Sequence, residues 1–311
     1  MGWFISPRFE QQRIVRELLE RFPNASIGFQ HQIDALYLHV KPTPPGPAWL
    51  RRIVGNEFFA RVEVVTIFNP ELNDHTLAQI ARLQNLRRLN IQSDRITDFG
   101  VSYIGQLNNL KELQVYSDAV TDATLDQLTR LTNLRKLTLS CHNLTDAGLS
   151  AVGRLGRLES LRIFNSHISG HGFEHLRSLN KLRKLLLHCP NLNDNGLNNL
   201  ESLPNLESLY IRSDEVTDTG LLALSRLKRL TIIEIFNERI TDEGLHYLAG
   251  ASQLEFLSLD SPLITDEGLL QLQHIPNLKE ISFRSHRVTA EGVRLFKKSM
   301  PSTVISVPAL P

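Results

Sequence analysis

The residues best able to do chemistry are few and scattered. His171, Glu174 and His175 make a His-x-x-Glu-His spacing, and two imidazoles four apart on one helix face could begin a zinc site. Zinc is four-coordinate, so a third protein ligand would have to come from elsewhere, and a solvated helix face is the simpler reading. Aspartates recur at Asp98, Asp146 and Asp266. General acid-base work needs paired groups in one cleft, whereas these stand one per repeat. The chain has no phosphate loop, no Gly-x-Ser-x-Gly elbow and no Cys-x-x-Cys pair. We therefore expect no enzyme, with no catalytic residues, cofactor or metal.

Side chains suited to recognition are more numerous. One column, read every 24 residues, holds Phe68, Gln92, Tyr116, Ser140, Phe164, His188, Arg212, Phe236, Asp260 and Arg284. Within it Phe68, Tyr116 and Phe164 form one candidate group. Arg212, Phe236 and Arg284, with Tyr210, Ile232 and Phe256 from neighbouring columns, form a second. Clustered aromatic and Arg residues are the usual composition of interface hot spots. The bland alternative is that the rings stack on one another as sheet-stabilising pairs.

What must position these residues is a repeat. Leu86, Leu110, Leu134, Leu158, Leu182, Leu206, Leu230, Leu254 and Leu278 follow one another at intervals of 24 residues. An aliphatic residue stands three beyond each anchor and another two beyond that, as at Leu89 and Ile91. Period-two alternation is what a strand with one buried face requires. The second half reads Ile-Thr-Asp-x-Gly-Leu-x-x-Leu, as at Ile240, Thr241, Asp242, Gly244, Leu245 and Leu248, and its three-residue spacing predicts a helix. Asn73, Thr97, Ser169, Asn193 and Thr289 are expected N-caps, and the following Asp is favoured by the helix dipole. The recurring Gly costs ~1 kcal/mol in an exposed helix, which implies that neighbouring coils approach too closely there for a side chain. A column of small polar residues, among them Ser93, Ser117, Cys141, Asn165, Cys189, Ser213 and Asn237, is expected to point inward and satisfy backbone groups at the turn. Asp94, Asp118, His142 and the other residues just after it should then be exposed. Cys141 and Cys189 fall two coils apart, ~9.6 Å by strand spacing, beyond the ~7 Å reach of a disulfide.

The register extends in both directions. Residues 62–301 divide into ten 24-residue units, with Val62, Val65 and Ile67 in the first. Residues 1–61 read as an N-terminal cap. It would comprise an amphipathic helix over Pro7 to Arg21 carrying Phe9, Ile14, Leu18 and Leu19, a degenerate coil at Ile33, Leu36 and Leu38, a Pro-rich turn over Pro42 to Pro47, and a short helix over Ala48 to Gly55. Residues 302–311 read as a capping strand and tail, with Ile305 and Val307 in strand positions and Pro308 ending the pairing.

Lys plus Arg number 34 and Asp plus Glu 33, a net charge of +1, so no global field steers the chain toward nucleic acid. No apolar stretch approaches the ~18 residues that span a bilayer. The expected partner is thus a protein or peptide, with no nucleic acid and no membrane segment in this chain.

The match to Leu-x-x-Leu-x-Leu followed by Ile-Thr-Asp-x-Gly-Leu, over about Val62 to Leu295, resembles leucine-rich-repeat proteins of the ribonuclease-inhibitor-like, cysteine-containing type. The resemblance implies an α/β solenoid, a right-handed horseshoe with a parallel concave sheet and helices on the convex side. Pro47-Ala48-Trp49-Leu50-Arg51-Arg52 followed by Phe58-Phe59 is similar to the entry segment of planctomycete-type bacterial members. Relatives of that kind often carry an upstream transmembrane helix, so the chain is expected to be soluble as given, cytoplasmic, or anchored at a bacterial membrane if such a helix precedes it. The function implied is a non-enzymatic scaffold binding a protein or peptide on the concave sheet. The alternative is an anchored surface or envelope receptor recognising a glycan or cell-wall ligand.

Overall fold

The computed structural model describes residues 2–30, 32, 48, 52 and 60–306. The expectations placed on Ile33, Leu36 and Leu38, on the Pro-rich turn, and on Val307 and Pro308 lie outside the described residues. So, in the main, do the short helix over Ala48 to Gly55 and the Pro47 to Phe59 motif. The chain forms two compact units, Met1–Cys141 and His142–Pro311.

The first unit opens with helix α1 (Gly2–Arg21) and strand β1 (Ser26–Phe29), then β2 (Val62–Phe68). There follow α2 (Asp74–Ile80), β3 (Arg88–Gln92), α3 (Asp98–Ile104), β4 (Glu112–Tyr116), α4 (Asp122–Leu128) and β5 (Lys136–Ser140). Strands β2 to β5 pair in parallel, one repeat per step, so that Val64, Arg88, Glu112 and Lys136 stand side by side. β1 runs antiparallel to β2, with Ser26 opposite Thr66, a pairing the repeat pattern did not foreshadow. α1 begins before the expected Pro7 and buries Ile14 and Leu18 together with Phe22, whereas Phe9 and Leu19 face outward. Gln11 ties the helix to the sheet: its amide donates to the Ala60 carbonyl at 2.9 Å and its oxygen accepts from the Val62 amide at 3.2 Å.

The second unit begins with a 3-10 turn (Asp146–Gly148) running into α5 (Leu149–Val152), then β6 (Ser160–Phe164), a 3-10 helix over His171–Ser178, and β7 (Lys184–His188). It continues through α6 (Asp194–Asn199), β8 (Ser208–Arg212), α7 (Asp218–Leu224), β9 (Ile232–Phe236), α8 (Asp242–Leu248) and β10 (Phe256–Asp260). α9 (Asp266–Gln271), β11 (Glu280–Phe283), α10 (Ala290–Ser299) and β12 (Val304–Ser306) complete it. Its strands are all parallel and again step by one repeat, from Lys184 through Ser208, Ile232, Phe256 and Glu280 to Val304.

The alternation read from the sequence is the burial pattern: Leu209 and Ile211 have no exposed surface, while Ser208, Tyr210 and Arg212 flank them on the open side. Truncating such a leucine to Ala costs ~2–5 kcal/mol. At the strand ends the small polar column points inward as expected. Asn237 Nδ2 donates to the Ser213 and Val216 carbonyls at 2.8 and 2.9 Å, and its Oδ1 accepts from the Arg239 and Ile240 amides. Ser213, Ser261 and Ser285 each donate at 2.6 Å to a carbonyl of the preceding turn. Cys141 and Cys189, both buried free thiols, occupy the same column, where burial pushes each pKa up to about 12. Beside them Asp94, Asp118, His142, Asp214 and Glu238 are exposed.

The helix starts hold a device that the dipole argument missed. Asp194 accepts from the amide and hydroxyl of Thr217, and the same pair of bonds recurs from Asp74 to Thr97, Asp98 to Thr121, Asp218 to Thr241, Asp242 to Thr265 and Asp266 to Thr289. Each carboxylate therefore clamps the next coil. The recurring glycine makes room for it: a Cβ on Gly220 would stand 2.5 Å from Asp194 Oδ1. Most of the expected caps form, Asn73, Thr97, Asn193 and Thr289 each accepting from a first-turn amide. Ser169 does not cap. Gly170, at φ 97 in the left-handed region, takes the N-cap position instead, and the Ser169 hydroxyl donates to Asp146. That substitution of Gly for the usual Asp removes the next clamp, and here the coil closes with a 3-10 helix.

Candidate functional site

In the second unit the outward-facing side chains of adjacent strands meet as rings and a cation. Tyr210 on β8 leans diagonally to Phe236 on β9, ring centroids 5.2 Å apart and tilted by 35°. Arg284, one residue past β11, reaches back over β10. Its guanidinium lies 6.0 Å from the Phe236 ring centroid and 3.4 Å from Asp260 Oδ2. A cation over a ring face is attracted by the ring quadrupole. Arg212, exposed, lies in register between His188 and Phe236. Arg212, Phe236, Asp260 and Arg284, with Asp214, Asn237 and Glu238, line a cleft of about 280 Å³. Ile232 and Phe256 face each other across the β9–β10 pair, at the other end of the strands, ~13 Å from the Phe236 position by strand rise. The six residues grouped by the sequence thus divide into a Tyr210, Arg212, Phe236, Arg284 cluster and a separate Ile232, Phe256 pair.

Phe164, also in this unit, meets the His188 ring edge-on at 5.9 Å. Burial lowers the His188 pKa, the Arg212 charge lowers it further and Asp214 opposes them. His188 therefore stays neutral at neutral pH.

In the first unit Phe68 and Tyr116, on alternate strands, meet across β3 in an edge-to-face pair with centroids 6.1 Å apart. Phe68 is 53% exposed, which leaves its outer face open. The rings help line a cleft of about 400 Å³, together with Gln92, Asp94, Asp118 and Ser140. Phe164, expected to join them, belongs to the other unit. Elsewhere on this face two cations share one carboxylate. Glu112 accepts from Arg88 Nε at 2.7 Å and Lys136 Nζ at 2.8 Å; burial works to raise its pKa, but these two partners hold it below the ordinary value.

The histidine motif does not assemble. In a 3-10 helix residues three apart eclipse and residues four apart diverge by ~120°, so His171 and His175 point different ways. His171 Nδ1 is 2.7 Å from Ser169 Oγ, and His175 Nε2 is 3.9 Å from Glu174. Among the described residues no group of three or more His, Cys, Asp or Glu could hold a metal. The helix-start aspartates are engaged structurally rather than gathered in a cleft. For Asp98, Asp146 and Asp194 burial works to raise the pKa, but bonds from the next coil's Thr, Ser and backbone groups outweigh it and hold each below the usual value. Among the described residues no helix is long and apolar enough to cross a membrane.

A family model described as a leucine-rich repeat region matches residues 66–304. Among solved structures, an internalin (inlF) from Listeria monocytogenes is similar, with a TM-score of 0.50 and 19% identity over 78% of this chain and 86% of that one. A leucine-rich-repeat protein from Leptospira interrogans is 16% identical over 74% of each chain, at a TM-score of 0.34. No curated protein matches. At these identities the internalin likeness speaks to the fold alone.

Proposed function

The chain belongs to the leucine-rich-repeat family, and from that premise we propose that it is a non-enzymatic scaffold whose open sheet face docks a protein or peptide. Proteins of this fold generally mediate protein-protein interaction, and one observation carries the finer reading. Tyr210, Phe236 and Arg284 gather on a single outward patch, a ring pair with a guanidinium against it. Aromatic and Arg side chains dominate the energetics of protein interfaces. On this reading Arg212 borders the same patch, Ile232 with Phe256 extends it toward the strand beginnings, and Phe164 with His188 extends it across β6 and β7. Phe68 and Tyr116 give the first unit a contact surface of its own.

The test is capture from the native cell by crosslinking to the parent chain and to a Tyr210→Ala, Phe236→Ala double variant with an unchanged melting curve. Loss of at least one partner from the double variant is the expected result. Retention of every partner would remove the patch from the binding face.

A further inference from the structure

Net charge conceals a division on the second unit's sheet face. The outward positions of β6, β7 and β8 carry Arg162, Lys184 and Arg212 and no carboxylate. Those of β9, β10 and β11 carry Glu234, Asp260 and Glu280 and no cation, Arg284 following just past the last strand. Arg162, Lys184 and Arg212 are exposed, and among the described residues none has an acidic partner within ion-pair distance. The contrast with the first unit is direct, because there Arg88 and Lys136 share Glu112. Apolar side chains interleave the three cations: Leu186 stands in register between Arg162 and Tyr210, and Phe164 lies on the same strand as Arg162.

We propose that the partner presents a short acidic segment, carboxylates alternating with apolar or aromatic residues, which lies across β6 to β8 with an apolar anchor against Tyr210 and Phe236. The proposal rests on the sheet face being the protein-binding surface. Charge complementarity selects the occupant. An extended polyanion crossing the same face would run onto Glu234, Asp260 and Glu280, where like charges repel, whereas a segment that keeps its carboxylates over β6 to β8 and sends only an apolar side chain to Phe236 on β9 would not. Interleaved Leu186, Phe164 and Tyr210 suit a peptide that also carries apolar side chains better than a bare phosphate chain. His188 is held neutral and contributes ring surface there rather than charge.

The experiment titrates the full chain, by fluorescence anisotropy, into a fluorescein-labelled peptide of alternating Glu and Trp, into the same peptide with Gln for Glu, and into a labelled oligothymidylate. We expect the Glu peptide to bind about tenfold or more tightly than the Gln peptide, with the advantage shrinking as salt is raised. An Arg162→Gln, Lys184→Gln, Arg212→Gln variant, shown by its melting curve to be folded, should abolish that advantage, and Phe236→Ala should weaken both peptides. Equal binding of the two peptides, still weakened by Phe236→Ala, overturns the acidic preference and leaves the sheet-face reading standing. An acidic preference that ignores Phe236→Ala but depends on the three cations removes the aromatic anchor and keeps the charge. Tighter binding of oligothymidylate through the same cations overturns the proposal in favour of nucleic acid, and binding of neither peptide overturns it outright.

Discussion

The Asp194 carboxylate sits in one coil and holds the start of the next, accepting from the Thr217 amide at 2.8 Å and the Thr217 hydroxyl at 2.6 Å. Thr217 uses its hydroxyl on this bond, and its side chain makes no cap within its own helix α7. A helix start is thus completed by the neighbouring repeat rather than by its own first turn.

Removing that acceptor should be costly. Asp194→Ala leaves the Thr217 amide without its partner, and an unsatisfied group of this kind costs ~1–3 kcal/mol. Urea unfolding at neutral pH would show it as a lowered midpoint. An unchanged midpoint would mean that water replaces the carboxylate at no cost.

The clamps also set an acid limit. Asp98, Asp146 and Asp194 have depressed pKa values in the folded chain, against about 3.9 for an unfolded Asp. A depressed carboxylate contributes stability that is present above the unfolded pKa and is lost as pH falls through the folded value. The melting temperature should therefore fall steeply below about pH 4, and Asp194→Ala should make that fall shallower. A parent curve flat through this range would show that the hydrogen bonds do not favour the ionised form.

Gly220→Ala should destabilise α7 although Ala is the better helix former. The new Cβ would stand 2.5 Å from Asp194 Oδ1 and 3.1 Å from Leu197 Cδ1, so it displaces the clamp. A double-mutant cycle separates the causes: in the Asp194→Ala background the cost of Gly220→Ala should shrink by ~1 kcal/mol or more. Additive costs would place the conflict at Leu197 instead.

The inward column gives a graded series. Asn237→Ala strands two carbonyls and two amides in a buried turn and should cost ~3 kcal/mol or more. Asn237→Ser should cost less, because Ser213 and Ser261 serve equivalent turns. Cys189→Ser should be well tolerated for the same reason. Thiol titration of the parent should find Cys141 and Cys189 unreactive until denaturant is added; rapid native labelling of either would contradict its burial.

Much of this was legible because repetition multiplies a weak local signal. Alternation at Leu89 and Ile91 says little alone, but its recurrence at Leu209 and Ile211 fixes which side of each strand is buried. The small polar column was readable for a similar reason, since Ser, Asn and Cys share size and the capacity to serve a turn. The clamp was not. A first-turn Asp satisfies the dipole argument completely, and only spatial adjacency shows that Asp194 serves Thr217 rather than its own helix. Gly170 stands outside the recurring glycine position, at the place of the usual Asp, and its left-handed backbone had no repeat to announce it. Among the candidate binding residues, register placed Phe236 beside Arg212. It could not show that Arg284 bends back over a strand to reach the Phe236 ring, or that Ile232 and Phe256 form a separate pair. β1 has no repeat to announce it, and its antiparallel pairing depends on contacts that no period encodes.

The clamps have a direction. In each pair the carboxylate precedes by one coil the amide it holds, so a coil emerging during synthesis meets an acceptor that is already in place. The two ends of the array are consequently unequal. Trimming a coil from the C-terminal side would leave an aspartate without its threonine, whereas trimming from the N-terminal side would leave a threonine amide that no carboxylate holds. The direction of the clamps thus coincides with the N-to-C order of synthesis.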